Sequence, residues 1–261
     1  MTYIIRSNLL VSLAAVSFYL TGHWLLNRNS HEVLPASIIE VFSATFIIYN
    51  LPKISKIFLS KKNFFYILVL IVNIILLFIA SYNIPSRQVI YLVHLGAISF
   101  LYNFPFKVSR IPFIPGRSIP FLKIILIAYV WASIGSVYCG FESSLTTDKD
   151  VISVFIVQFL FIVSITLPFD IRDYVIDKNI GIKTIPGLVG IERTRYLGYA
   201  LALAYMLFAS ITLSSRLSFI VSGILIILLI KNSGERRNEF YYTGLIDGFI
   251  IANFLLMWVL Y

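Results

Sequence analysis

Residues 166–195, TLPFDIRDYVIDKNIGIKTIPGLVGIERTR, decide how the rest of the chain reads, because Asp170, Asp173 and Asp177 follow directly on a long apolar run in a protein with only 12 acidic residues. Their spacing of i, i+3 and i+7 puts all three carboxylates on one face of a helix, at the edge of a membrane. Three like charges on one stripe repel each other, so something positive has to face them. Arg172 and Lys178 lie off the stripe, which leaves a divalent cation or a lysine from another segment. Magnesium fits best, as a hard ion that takes one or two carboxylates and completes its shell with water and phosphate oxygens.

Working outward, the 261 residues are 59% hydrophobic and 13% charged, with a mean hydropathy of +0.90. A soluble globule carries about a quarter charged residues, so the composition predicts an all-α, polytopic membrane bundle forming one domain over residues 1–261. With roughly twenty apolar residues per span, the candidates are nine: 7–26, 34–52, 64–82, 88–104, 120–141, 150–169, 195–213, 216–231 and 241–261. The first is too long for the apolar core of a signal peptide and lacks a small-x-small cleavage site, so it reads as a span. The single Cys139 rules out an internal disulfide and any cysteine-based metal site.

The basic residues check this division. Seventeen Lys and Arg fall on one side of the nine spans and four, Arg28, Arg87, Lys149 and Arg216, on the other. Positive charge marks the cytoplasmic side, so the chain reads as N-in and C-out, a multi-pass protein of a bacterial cytoplasmic membrane. The net charge of +9 is then mostly this bias. No basic run with interleaved aromatics resembles a nucleic-acid arm.

Polar residues within spans are few. His23 reads as interfacial, beside Trp24 at the outer end of the first span, and Glu40 as meeting water or a partner such as Arg28. His94 is expected to face the bundle interior as a hydrogen-bonded packing residue. Asp247 reads as a polar contact within the bundle. At the cytoplasmic ends, Asn50, Lys53 and Lys56 surround Pro52, which would end its helix and leave Asn50 free to bind a ligand. Tyr102, Asn103 and Lys107 form a set able to donate to phosphate oxygens. Lys123 either snorkels or points into the same cavity. Lys183 and Thr184 could return toward the acids after a helix stop at Gly181.

The run DIRDYVIDKNIGIKTIPGLVG strongly resembles the second aspartate motif of the UbiA superfamily of intramembrane prenyltransferases, close to D-x-x-D-x-x-x-D-x-x-x-G-x-x-T, met here by Asp170, Asp173, Asp177, Gly181 and Thr184. LYNFPFKVSR looks like the family's tyrosine-and-lysine segment after the fourth helix, with Tyr102 and Lys107 matching. The resemblance implies nine helices with the motif loops on the cytoplasmic face. It implies transfer of a prenyl group from a prenyl diphosphate to an aromatic or other lipophilic acceptor, with Mg2+ neutralising the departing diphosphate. Carried over, it makes Asp173, Asp177 and Tyr102 catalytic and Asp170, Asp173 and Asp177 metal ligands. Asn50, Lys53, Lys56, Lys107, Lys123 and Lys183 become diphosphate contacts, and Asp170 either supports the metal shell or pairs with a lysine.

The departure is in the second span. The family's first motif, N-D-x-x-D-x-x-x-D, keeps its asparagine as Asn50, but its three acids become Leu51, Ile54 and Phe58. Two outcomes follow. Either the lysines contact the diphosphate while Asp173 and Asp177 hold one Mg2+ and transfer continues, or the chain keeps the fold to bind a polyprenyl lipid or a membrane partner without chemistry. A transporter is the weaker reading, because its charges belong near the midplane with broken helices and a repeat, whereas these aspartates emerge at one face.

Overall fold

Apolar runs in lipid must satisfy their own backbone, which leaves helices as the economical solution, and the computed structural model is helical throughout the residues it describes: 8–27, 33–53, 64–103, 121–142, 146–179, 184–213 and 216–260. The elements are α1 (Leu9–Leu26), α2 (Pro35–Asn50), α3 (Phe64–Tyr82), α4 (Ser86–Asn103), α5 (Leu122–Ser133), α6 (Asp148–Asn179), the five-residue α7 (Ile185–Val189), α8 (Ile191–Thr212), α9 (Arg216–Lys231) and α10 (Asp247–Leu260). Among the described residues, then, nine long helices and one short one stand against the nine spans expected. Wider π turns extend α5 through Ile134–Tyr138 and introduce α10 over Tyr241–Ile246. Such turns shift the register of the side chains that follow and recur at functional sites.

The helices close into a ring. α1 packs on α2 and α10, α5 on α4 and α6, and α8 on α6 and α9, while α9 also meets α10. The thin place is between α2 and α4, which touch sparingly. α3 lies outside the ring against α2, and its Ile71, Ile75, Phe78 and Ile79 project outward, as an apolar helix in lipid does. Rings at mid-depth fill the centre: Phe161 contacts Phe18, Tyr205 and Phe249 at centroid separations of 5.8, 5.6 and 5.9 Å. Gly22 and Gly135 let α1 and the first π turn cross in contact, since a Cβ on Gly22 would overlap the Gly135 carbonyl and one on Gly135 would overlap Gln158.

α6 runs for 32 residues, well beyond the expected 150–169, and Pro168 lies inside it. Proline removes one N–H from the ladder, yet the helix continues, so the aspartates stand on the same rod that crosses the bundle. At the opposite end two buried carboxylates are held by hydroxyls and an amide. Glu142 accepts from Tyr19 Oη at 2.8 Å and Gln88 Nε2 at 2.9 Å, with His23 Nε2 at 3.7 Å. Glu40, fully buried, accepts from Tyr138 Oη and from Ser81 Oγ at 2.8 Å.

Two expectations are corrected here. Glu40 is satisfied by hydroxyls from α3 and α5 rather than by water or a surface arginine. His94 sits on the outward side of α4, exposed, with its ring beside Tyr91 and Tyr129. Its Nε2 lies 3.5 Å from Tyr129 Oη, so the hydrogen-bonded part of the expectation holds and only the interior placement is corrected.

Candidate functional site

The last turns of α6 carry the aspartates, and each meets a different surrounding. Asp170, 2% exposed, accepts a 2.6 Å hydrogen bond from Lys123 Nζ at the first turn of α5. A buried carboxylate is tolerable only when paired, and this pair ties α5 to α6 at the mouth of the ring. Asp173 accepts two parallel bonds from the neighbouring Arg172, 2.7 Å from Nε and 3.0 Å from a terminal guanidinium nitrogen. Arg172 lies off the stripe, but its long side chain folds back, with its guanidinium carbon 5.2 Å from the Phe169 ring centre and 5.1 Å from that of Tyr242. Asp177 is buried one turn further on.

Asp170, Arg172 and Asp173 line a cleft of about 320 Å3 together with Lys123 of α5, Tyr102 of α4 and Asp247 of α10. Asp177 is not in that lining. Asp247 enters the cleft because it directly follows the Tyr241–Ile246 π turn; its charged neighbour is Arg172. Three carboxyl groups thus stand beside two cations among the described lining residues. Inward, the walls turn apolar at Ile127, Trp131, Ile162 and Ile165. The cleft therefore has a charged mouth and a hydrocarbon floor.

The other expected residues fall elsewhere. Asn50 is fully buried and its amide is engaged: Nδ2 donates to the Phe46 carbonyl at 2.7 Å, and Oδ1 accepts from Asn8 Nδ2 at 2.9 Å and from Tyr66 Oη. It ties the end of α2 to α1 and α3, while its neighbour Tyr49 lines the cleft. Leu51 follows in a single tight turn, Leu51–Lys53, and offers no oxygen where the family motif has its first acid. The Lys53 side chain and Lys56, Lys107, Gly181 and Lys183 lie outside the described residues. Sequence reasoning missed Tyr49, Arg172 and Trp131 as parts of the cleft, and weighed Asp247 only as a packing contact. An aspartate inside a span was the one available signal for it.

Among the described residues, no three His, Cys, Asp or Glu side chains gather closely enough to cage a metal ion. What the cleft offers is a pair of carboxylates, Asp170 and Asp173, each already bonded to a cation, with the Asp247 carboxyl in the same lining. That donor set fits a Mg2+ arriving with a phosphate-bearing substrate, which supplies the remaining oxygens.

Over nearly its whole length the chain superposes on solved structures of UbiA homologues. A UbiA homologue from Archaeoglobus fulgidus, solved bound to GPP and Mg2+, matches at a TM-score of 0.62 and 16% identity, covering 98% of this chain and 99% of that one. This chain has the UbiA fold. A UbiA homologue from Aeropyrum pernix aligns at a TM-score of 0.63 and 13% identity over 95% of both chains. Digeranylgeranylglyceryl phosphate synthase aligns at 0.61 and 15%, covering 99% of this chain and 97% of that one. No protein-family model matches the sequence, and no curated protein matches it. The UbiA fold is thus visible in three dimensions at 13–18% identity, where in the sequence only the aspartate run and the tyrosine-and-lysine segment point to it.

Proposed function

We propose that the chain is a prenyltransferase of the UbiA type, moving a prenyl group from a prenyl diphosphate to an aromatic or other lipophilic acceptor at the cytoplasmic face of a membrane. The observation that carries this reading is the cleft itself, whose mouth pairs Lys123 with Asp170 and Arg172 with Asp173 and whose floor is aliphatic and aromatic. A prenyl diphosphate has the complementary build, a multiply charged head on an apolar chain. The neighbours solved with GPP and Mg2+ support the same substrate class.

In this reading Lys123 Nζ and the Arg172 guanidinium turn part of their hydrogen bonding from carboxylate to phosphate oxygens. The C1–O bond of the donor breaks, its electron pair leaves with the diphosphate, and C1 becomes an allylic cation. The acceptor's nucleophilic atom then bonds to C1 and releases its proton. Two pre-oriented cations favour ionisation because the departing diphosphate gains charge at their positions. Asp170 and Asp173 would hold Mg2+ brought in with the diphosphate, an ion whose chemistry there would be to neutralise the same developing charge. Ile127, Ile162, Ile165 and Trp131 keep water from the cation, while the ring faces of Tyr49 and Phe169 can meet its charge.

The test is turnover by purified protein in detergent with Mg2+, radiolabelled prenyl diphosphates and a set of quinone-precursor acceptors. Diphosphate release that requires Mg2+ and disappears in Asp173→Asn is the expected result. Binding of a prenyl diphosphate without release, for every chain length and acceptor, would move the chain to the class of fold relatives that hold a polyprenyl lipid without chemistry. Leu51 in place of the first motif's acid gives that alternative its structural basis.

A further inference from the structure

The cleft does not end at its apolar floor. A second cavity of about 200 Å3 adjoins it between α2, α4 and α5, with Tyr49, Tyr102, Ile127 and Trp131 in both linings. A third, only about 60 Å3, lies deeper against Ala15, Ala44 and Gly96 and shares Tyr49 and Trp131 with the other two. Both side chains thus stand where all three meet, and of the two Trp131 is the buried one. It is 8% exposed and braced edge-on by Phe18, with centroids 5.7 Å apart at 71°, so its indole is a fixed partition.

The distance from charged mouth to partition can be read along α5. Lys123 and Trp131 are eight positions apart on one helix, or about 12 Å at 1.5 Å per residue. An extended isoprene unit advances roughly 5 Å, from four carbon–carbon bonds of about 1.5 Å in zigzag. The space before the indole thus takes about two units. Beyond it lies only the third cavity of about 60 Å3, where Ala15, Ala44 and Gly96 alternate with Val41, Leu92 and Leu95, so further room comes from removing the indole itself.

Resting on the prenyltransferase reading above, we propose that Trp131 sets donor chain length and that the substrate class is a short prenyl diphosphate of about two isoprene units, not a polyprenyl one. The partition acts sterically. A longer tail meets the indole face before its diphosphate reaches Lys123 and Arg172, so it loses head-group contacts rather than tail contacts.

The experiment measures affinity of the detergent-solubilised full chain for uncleavable thiolo analogues of prenyl diphosphates with one, two, three and four isoprene units, in Mg2+, without acceptor. In the unmodified protein the two-unit analogue should bind best and the four-unit analogue about tenfold or more worse, a usual penalty for surplus bulk in an apolar pocket. Trp131→Ala should join the deeper cavity to the others and bring the three- and four-unit analogues to within about threefold of the two-unit one. Trp131→Leu, which keeps an apolar side chain in the core, should shift the ranking the same way by a smaller amount. Ile127→Phe fills the space before the partition and should move the optimum to one unit, so it tests the idea from the opposite side. Equal binding of all lengths, or wild-type ranking in Trp131→Leu and Ile127→Phe, overturns the role of Trp131 while leaving the prenyl reading intact. If the unmodified protein binds none of the four analogues, the prenyl reading fails and this inference with it.

Discussion

Replacing Lys123 by Met should destabilise the protein more than any surface lysine change, and removing its partner as well should recover most of the loss. Lys123 Nζ lies 2.6 Å from a carboxylate whose side chain is 3% exposed, while the lysine side chain is 21% exposed. Removing one member of a buried pair costs about 3–5 kcal/mol, chiefly because the remaining charge is stranded. Here the cleft admits some water on the lysine side, which places the cost of Lys123→Met nearer ~2–3 kcal/mol. Asp170→Asn alone strands the ammonium instead, which can turn toward the cleft mouth, so it should cost less, about 1 kcal/mol. The Lys123→Met/Asp170→Asn double variant leaves a neutral amide and a thioether of similar volume and should lie within about 1 kcal/mol of the unmodified protein. The assay is a double-mutant cycle on unfolding midpoints in mild detergent, read as a coupling of about 2–4 kcal/mol. A coupling near zero would mean the two side chains do not depend on each other, and the account of how α5 and α6 close the mouth would be wrong.

Arg172→Lys keeps the charge but loses both the parallel pair to Asp173 and the stacking between Phe169 and Tyr242; it should weaken binding of an uncleavable prenyl diphosphate analogue about tenfold, measured by titration. Asp247→Asn removes a carboxyl oxygen from the cleft lining, so the Mg2+ concentration at which that analogue stabilises the protein should rise about threefold to tenfold; thermal midpoints across a Mg2+ series read this directly, and an unchanged midpoint concentration would assign Asp247 to packing alone. Tyr138→Phe strips a donor from buried Glu40 at the far end of the bundle, and should cost about 1–3 kcal/mol of stability while leaving analogue affinity unchanged.

The helical architecture was readable because the information for it is local: an apolar run of fixed length makes a helix in lipid whatever its neighbours are. The aspartate run was readable for the same reason, its i, i+3, i+7 spacing surviving intact in α6. What escaped depended on partners far away in the chain. That Asp170 would be met by Lys123, 47 residues earlier, was one of several lysines open to it. Arg172 was placed off the stripe by its Cα position, but a six-bond side chain reaches back to its neighbour and settles between two rings. Asp247 could be recognised as unusual within a span, yet only the π turn preceding it decides that it faces the cleft. His94 failed in the other direction, since periodicity carries no sign of the aromatic neighbours that let a polar ring stay on the outside of the bundle.

The unevenness of the ring also has a consequence for traffic. Where α1 crosses the turn after α5, glycine backbones interlock and nothing can slide. Between α2 and α4 the walls barely touch, and the second cavity lies just behind them. For the lipophilic acceptor of the proposed reaction that loose joint is a sideways doorway from the bilayer, and passage through it need not disturb the tightly clasped half of the bundle.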